Sequence, residues 1–482
     1  MTAELAPQLP WIRRWPGRLL WLLVAVVGSI VSAIAVSRGM WFELAAVLLV
    51  VPVFLVVHRY PLITVGVWML VLPFMSGLED GGSLKLAYWL VHRLAPLATL
   101  VVVVASSMAR ASDRRLPRLG VAELLMAAYL VVTALSILYL SNDVGAELRH
   151  LYDRAGVPMI LYLLVRLVPP KRAELRKFTY ILMFVLVSQA LIGLAQWFAP
   201  GVLPDRLLGR VGERTTGSLD QANVFGIVAL WAGALVLHLS RQLSGSLRRW
   251  GLPGFTLGVV MAFATFSRAS WLAAIVVLVG VFFAYRNAAR VILVAGVVAV
   301  VAFLAIGSSG WLSSYLRERV YSPASETTAL SRLPVMIASV RMFEEKPVTG
   351  WGYGNFDRYD TLFQSRVGDL FVPTKDHSSH NLFLTILAEQ GLVGLIAYLG
   401  AALYWLAKTP KGLSRLRGNG LYGRKLVVIL WFVILGHVIV SSFSNMVVSV
   451  GLAVWWLSLA LIGNAFSGVD KARKPSSVSA ES

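Results

Sequence analysis

No cysteine occurs anywhere in the 482 residues. That excludes disulfides and thiolate-held metal sites, and it leaves the compartment open. Charge is scarce as well: 14% of residues are charged, against about 25% in a typical soluble domain. Acidic residues are the scarcer sign, 24 Asp and Glu against 44 Lys and Arg, for a net charge of +20. Length alone would suggest about three soluble domains, but a chain with so little charge has lipid rather than water as the solvent for most of its segments. There is no internal repeat and no low-complexity core, and the inverted-repeat pattern of many transporters is not visible.

What the chain has is apolar sequence, 57% hydrophobic with a mean hydropathy of +0.73. Runs of near-spanning length fall at about 19–37, 40–57, 61–76, 88–108, 121–140, 155–168, 178–198, 222–240, 252–266, 269–285, 289–307, 381–407, 426–443 and 446–463. Several are short enough to be tilted, re-entrant or merged. The expected fold is therefore an all-α polytopic membrane protein of about 12–14 transmembrane helices, with one large outer loop containing amphipathic helices.

The basic residues set the orientation. Assigning loops to alternate sides gathers Arg13/Arg14/Arg18, Arg59, Arg110 to Arg118, Lys171 to Lys177, Arg241 to Arg249, Arg286/Arg290, Lys408 to Lys425 and Lys471 to Lys474 on one side. The positive-inside rule makes that side cytoplasmic, with both termini inside, in a bacterial cytoplasmic (inner) membrane. The same pattern accounts for the pI of about 10.4 by attraction to anionic lipid, so the expected partner is membrane lipid and not nucleic acid. Arg13, Arg14 and Arg18 ahead of the apolar run from Leu19 have the outline of a signal peptide. Later loops require a first span of the same orientation, so that run is taken as retained. The sequence then divides into an N-terminal transmembrane bundle (1–198), a transmembrane region with outer arginine loops (199–307), a large periplasmic loop (308–380), C-terminal transmembrane helices (381–467) and a polar, disordered cytoplasmic tail (468–482). A loop of some 70 residues is too long to be structureless filler. Within it Leu330 to Phe343 reads as an amphipathic helix with Leu333, Met336, Ile337 and Val340 on its apolar face.

The outer side carries arginines where basic residues are disfavoured. Arg206, Arg210 and Arg214 lie in the 199–221 loop, and Arg268 lies in a short turn between two apolar runs. Any one of these taken alone reads as a snorkelling side chain near a span end. Together they suggest more, because Arg214 opens a polar stretch that runs into a helix starting at about Ala222, with Asp220 and Gln221 at its cap. Guanidinium groups beside a helix N-terminus form an anion site, since the planar fork matches phosphate oxygens and the dipole adds to it. Arg332, in the long loop, is a further candidate that also reads as an amphipathic surface arginine.

His380-Asn381 is followed, after nine residues, by Gly391-Leu392-Val393-Gly394. Asn381 can cap the helix that re-enters the membrane. Glu389, two turns deeper, reads as a buried carboxylate paired within the bundle, and Gly391 and Gly394 as sites of close helix approach. His377, three residues before His380 and next to Asp376, competes for the same role. An i, i+3 histidine pair without a third nearby donor does not make a zinc site, and no metal is expected. The run Gly350 to Phe356 has GxG spacing but no flanking strand and helix, which dismisses a dinucleotide fold; a turn whose aromatics stack on sugar faces fits better.

These pieces, in this order, resemble the O-antigen ligase and polymerase superfamily. His380-Asn381 with its Gly-x-x-Gly, the Arg214–Asn223 segment, Ser267-Arg268, and the stretch from Arg332 through Lys346-Pro347 and Gly350-Trp351-Gly352 to Phe356 each resemble a motif of that family. The likeness covers about residues 200–400. Where the family has Asn-Pro-Asn this chain has Gln221-Ala222-Asn223, and Leu395 follows the second glycine where the ligases have Thr. The resemblance implies a membrane glycosyltransferase working on the periplasmic side, inverting, without metal, cofactor or nucleotide sugar. Its donor would be a polyprenyl-diphosphate-linked glycan, and its acceptor a glycan or lipid A-core sugar. In that reaction His380, at the loop-to-helix junction on the outer side, is expected to be the general base, since histidine can accept a proton near pH 7, and Arg214, Arg268, Arg210 and Arg332 are expected to hold the diphosphate. Ligase and repeat-unit polymerase differ only in acceptor, and both readings stand. A transporter would need polar residues converging at the bilayer midplane, and a non-catalytic scaffold would tolerate loss of His380.

Overall fold

The computed structural model describes residues 55–75, 85–109, 116–117, 119–208, 214–243, 245–286, 332–364, 379–444, 446 and 448–472. The chain forms two compact units, Met1–Tyr60 and Pro61–Ser482. Nearly all of the first lies outside the described residues, and so do the expected runs at 19–37 and 289–307.

Among the described residues of the second unit there is no strand. Lipid supplies no hydrogen bonds, so a spanning segment must satisfy its own backbone, and the apolar runs do so as helices. In chain order these are α1 (Leu62–Val71, closed by a 3₁₀ turn over Leu72–Phe74), α2 (Lys85–Met108), α3 (Val121–Leu140), α4 (Val144–Leu151 and Val157–Leu167, joined through a π-helical turn at Tyr152–Gly156) and α5 (Arg172–Phe198). There follow α6 (Ala222–Gln242), α7 (Leu247–Ala264), α8 (Arg268–Ala284), α9 (Arg332–Glu345), α10 (Phe356–Phe363), α11 (Leu382–Arg415), α12 (Arg424–Ser442) and α13 (Ser449–Ala472). Seven of them, α2, α3, α5, α6, α11, α12 and α13, are long and apolar enough to cross a membrane; α8 and Leu62–Phe74 are shorter apolar helices. The all-α multi-pass architecture is thus present. α4 starts well before the apolar run expected at 155–168, because Asp143 caps it, its Oδ1 accepting the Ala146 amide at 2.9 Å.

α6 and α13 form the centre and are almost wholly buried. α6 packs on α7, α13 on α4, α8 on α12, and α11 on α3. The peripheral helices turn Val101, Leu124, Phe184 and Leu191 outward, as a lipid-facing surface requires. Antiparallel neighbours give the bundle two ends. At one end Gly420 N donates to Gln242 Oε1 at 3.1 Å and Tyr422 Oη to the Pro170 carbonyl at 2.8 Å. The other end gathers the C-termini of α3 and α12, the N-termini of α6 and α11, and the 347–356 segment.

α9 occupies the amphipathic stretch expected at 330–343, but with a different face inward. Val335, Ala338, Ser339 and Met342 are buried, while Leu333 and Val340 are exposed. The expected face lost because Val335 and Met342 pack with Phe356 and with Ala388 of α11, a contact that helical periodicity alone does not reveal.

Candidate active site at one end of the bundle

The segment Arg214 to Asp220 is folded back against α5 by two glutamines one face apart, Gln189 and Gln196. Gln196 Oε1 accepts the amides of Thr216 and Gly217, both at 3.1 Å, while its Nε2 donates to the Leu207 and Gly217 carbonyls at 2.7 and 2.8 Å. Gln189 Oε1 accepts the Ser218 amide at 3.0 Å and its Nε2 donates to Ser218 Oγ at 2.6 Å. Thr215, Thr216, Ser218 and Leu219 are consequently buried, and Arg214 is presented from a fixed strip of backbone. The sequence offered one signal for this, two glutamines at i, i+7 inside an apolar span, where an unpaired amide is costly.

α6 then begins with Gln221 as its N-cap residue and no side-chain cap, so its first amides stay available to a ligand. The turn before α8 leans on it: Ser267 Oγ donates to Asn223 Oδ1, and Thr265 Oγ1 accepts the Ser267 amide at 3.2 Å. Arg268 follows as the first residue of α8.

Across the site, His380 stands in the left-handed region, at φ 49°. Its neighbours pin that conformation. Asn381 Oδ1 caps α11 by accepting the Phe383 and Leu384 amides at 3.0 and 3.1 Å, and buried Ser379 Oγ accepts the Asn381 amide at 3.1 Å. A held, strained backbone at an exposed histidine is characteristic of functional sites.

Gly391 is not a helix-packing glycine. It breaks α11 with φ 62° and ψ −161°, a conformation essentially restricted to glycine. The backbone of 347–352 satisfies the groups that the break frees. Leu392 N donates to the Pro347 carbonyl at 2.8 Å and Val393 N to that of Val348 at 3.3 Å, while the carbonyls of Ala388 and Glu389 accept from Trp351 N at 3.0 Å and Gly352 N at 2.7 Å. A Cβ at Gly350, φ 66°, would overlap the backbone of Glu389 and Gln390, and one at Gly394 would meet the Gln390 side chain. Glu389 is buried and takes the Phe356 amide on Oε1 at 3.2 Å. Trp351 turns away from the site, onto Tyr359, Phe363 and the Lys346 ammonium, while Tyr353 and Phe356 of this turn are in the cavity wall.

These elements surround one cavity of about 610 Å³, within the range of ligand sites. Arg214, Asn223, Arg332, His380, Glu389 and Gln390 are in its wall. Arg268 is not in that wall, but its charge acts on Arg332: burial first, then the guanidinium groups of Arg214 and Arg268, pull the Arg332 pKa below its ordinary value. Both neighbouring charges that act on Arg332 are positive, an arrangement that a bound anion relieves. Arg210 and His377 lie outside the described residues. Among the described residues no group of three or more His, Asp or Glu could hold a metal ion. Sequence reasoning missed Glu147 and Arg154, which also line the cavity; they come from α4, too far from the other site residues for spacing to reveal, whereas Tyr353 belongs to the turn whose aromatics were expected to meet a sugar.

Residues 253–399 match a family model described as O-antigen ligase. The match contains Ser267-Arg268, Arg332, the 347–356 turn, His380-Asn381, Gly391 and Gly394. No curated protein matches the chain.

Proposed function

We propose that this chain, whose residues 253–399 match a family model described as O-antigen ligase, transfers a glycan from a polyprenyl diphosphate to an acceptor hydroxyl at the periplasmic face of the bacterial inner membrane. The observation that carries the reading is the convergence of Arg214, Arg332 and His380, from distant parts of the chain, on one cavity at a bundle end. Chemistry at helix ends suits lipid-borne substrates whose headgroups lie at the interface, whereas a transport site belongs at mid-span.

Arg214 and Arg332 bind the diphosphate, with Arg268 adding charge and the first amides of α6 supplying further donors. As the glycosidic bond lengthens, negative charge builds on the leaving phosphate, and fixed guanidinium groups stabilise that charge more than the ground state. His380, a side-chain type suited to exchanging a proton near pH 7, takes the proton from the acceptor hydroxyl as its oxygen attacks the anomeric carbon. One displacement inverts the anomeric configuration. The diphosphate is a competent leaving group, so the scheme needs no nucleotide sugar and no metal. The acceptor is the lipid A-core sugar in a ligase, or the end of a growing chain in a repeat-unit polymerase.

The test is transfer by the purified protein in vesicles, with lipid-linked glycan as donor. His380→Ala and His380→Arg should lose transfer while still binding donor, and the product bond should be inverted relative to the donor. An active His380→Ala protein, or retained configuration, would refute the mechanism. In cells, a deletion strain that accumulates unligated lipid-linked polymer marks a ligase, and one that makes single-unit chains marks a polymerase.

A further inference from the structure

The cavity has two electrostatic poles, built from different side chains. The charges acting on Arg332 are Arg214 and Arg268. With Tyr353 in the cavity wall stand Arg154 and Glu147, alongside Tyr129 and the buried carboxyl of Glu389. Among the described residues the first pole is built on arginines. The second is mixed, with Glu147 in contact range of His150 at 3.5 Å, and its ring is Tyr353, 9% exposed.

Arg154 is the distinctive group of the second pole. It is half-buried in the cavity wall and has neither a hydrogen bond nor an ion pair with any described residue. Its backbone is nonetheless firmly held. It lies in the π-helical turn Tyr152–Gly156, and the preceding residue, Asp153, takes a two-pronged ion pair from Arg93 at 2.7 and 2.5 Å. Arg93 sits in a second π-helical turn, Trp89–Leu94. Tyr152 Oη donates to the Arg93 carbonyl at 2.6 Å, and Ser449 Oγ to the Asp153 carbonyl at 3.0 Å. Single π-turns inside α-helices recur at functional sites because they re-aim side chains. Here two of them interlock behind Arg154. Gly354 lies close against the Glu147 carboxylate, where a Cβ would overlap it.

The two poles suit different parts of a glycosyl transfer. An all-arginine pole matches phosphate oxygens, which only accept. A pole holding a carboxylate, a free guanidinium and an aromatic ring matches a sugar, whose hydroxyls both donate and accept and whose C–H face packs on a ring. In a single displacement the attacking hydroxyl approaches away from the leaving group, so the acceptor cannot share the diphosphate's pole.

Resting on the transferase reading above, we propose that Glu147, Arg154 and Tyr353 form the acceptor-glycan subsite and set which sugar is glycosylated. Glu147 accepts from acceptor hydroxyls, Arg154 donates to hydroxyl or ring oxygens, and Tyr353 supports the sugar face.

The full-length protein, reconstituted in vesicles, tests this with lipid-linked glycan and unglycosylated acceptor lipid, both extracted from a strain deleted for this gene. Donor and acceptor are titrated separately. Arg154→Gln and Glu147→Gln should each raise the half-saturating acceptor concentration by about tenfold or more, and that for donor by less than about twofold, as expected for loss of charged hydrogen bonds to one substrate. Arg214→Ala should show the reverse. Thermal midpoints of the purified variants identify any that misfold, and the two substitutions on different turns of α4 test the same prediction independently. Unchanged acceptor saturation in both well-folded variants, or equal shifts for donor and acceptor, would overturn this assignment while leaving the transferase reading intact. No transfer by the wild-type protein from any lipid-linked glycan would overturn the transferase reading itself.

Discussion

The Phe356 amide donates to Glu389 Oε1 at 3.2 Å, so a buried carboxylate on the re-entering helix holds the turn that carries Tyr353 and Gly354 into the cavity. An amide oxygen can accept that bond as well as a carboxylate can. Glu389→Gln is therefore expected to fold like the wild type and keep transfer within a few-fold. Glu389→Ala leaves the Phe356 amide buried and unpaired, a loss of about 1–3 kcal/mol, and should lower both thermal midpoint and activity. A Glu389→Gln protein that folds normally but has lost transfer would show that the carboxylate itself takes part in the chemistry.

Gly391 makes the break that this turn stitches. At φ 62° and ψ −161° a side chain is strained, and a Cβ would overlap the Val348 backbone. Gly391→Ala should cost at least about 1–3 kcal/mol and lower the thermal midpoint of the purified protein. A midpoint equal to wild type would mean that the helix can run straight through and that the 347–352 backbone pairing is dispensable.

Particular residues show what the sequence could reveal. The spans among the described residues were legible because lipid forces long apolar runs into helices, and the arginines expected outside because they contradict the charge bias of the loops. His380 was legible only through its spacing to Asn381 and the glycines. The function of those glycines was not: Gly391 looks like any small residue in a span until the Pro347 and Val348 carbonyls are seen beside it. The inward face of α9 was missed because Val335 and Met342 follow the surface offered by α11, not the larger apolar stripe. Arg154 was invisible because α-helical periodicity cannot anticipate a π-turn, which rotates every following side chain.

Gln196 touches no site residue except through the 214–221 strip, so it separates presentation from contact. Gln196→Leu removes the acceptor for two amides, at Thr216 and Gly217. It should weaken donor saturation in the same direction as Arg214→Ala, though less severely, while acceptor saturation holds. If donor saturation is unchanged in the variant, the strip is held adequately by Gln189 and Ser218 alone.

Because the chain has no cysteine, single cysteines report sidedness without background. Ser414 is exposed near the end of α11, in a basic loop expected inside; position 325 falls in the long loop expected outside. A membrane-impermeant thiol reagent applied to intact cells should label Ser325→Cys, and Ser414→Cys only after permeabilisation. The opposite pattern would invert the topology and move the cavity to the cytoplasmic face.

The Arg93–Asp153 pair offers the sharpest separation of stability from placement. Both side chains are largely buried, at 13% and 9% exposure. Removing one partner strands the other charge, at a cost of about 3–5 kcal/mol, whereas removing both often restores most of the loss. Asp153→Ala should therefore show a much reduced thermal midpoint and a low membrane level. Arg93→Leu combined with Asp153→Ala should recover much of both, since neither member of the pair then leaves a buried charge without its partner. Recovery of the fold should not restore the site. Without the ion pair the two π-helical turns keep only the bond from Tyr152 Oη to the residue-93 carbonyl, and Arg154 should be aimed into the cavity less firmly. The double variant is expected to bind donor normally and to require several-fold more acceptor for half-saturation. A double variant with wild-type acceptor saturation would show that Arg154 needs no support from behind. A single Asp153→Ala protein as stable as wild type would show that the ion pair is not what joins α2 to α4.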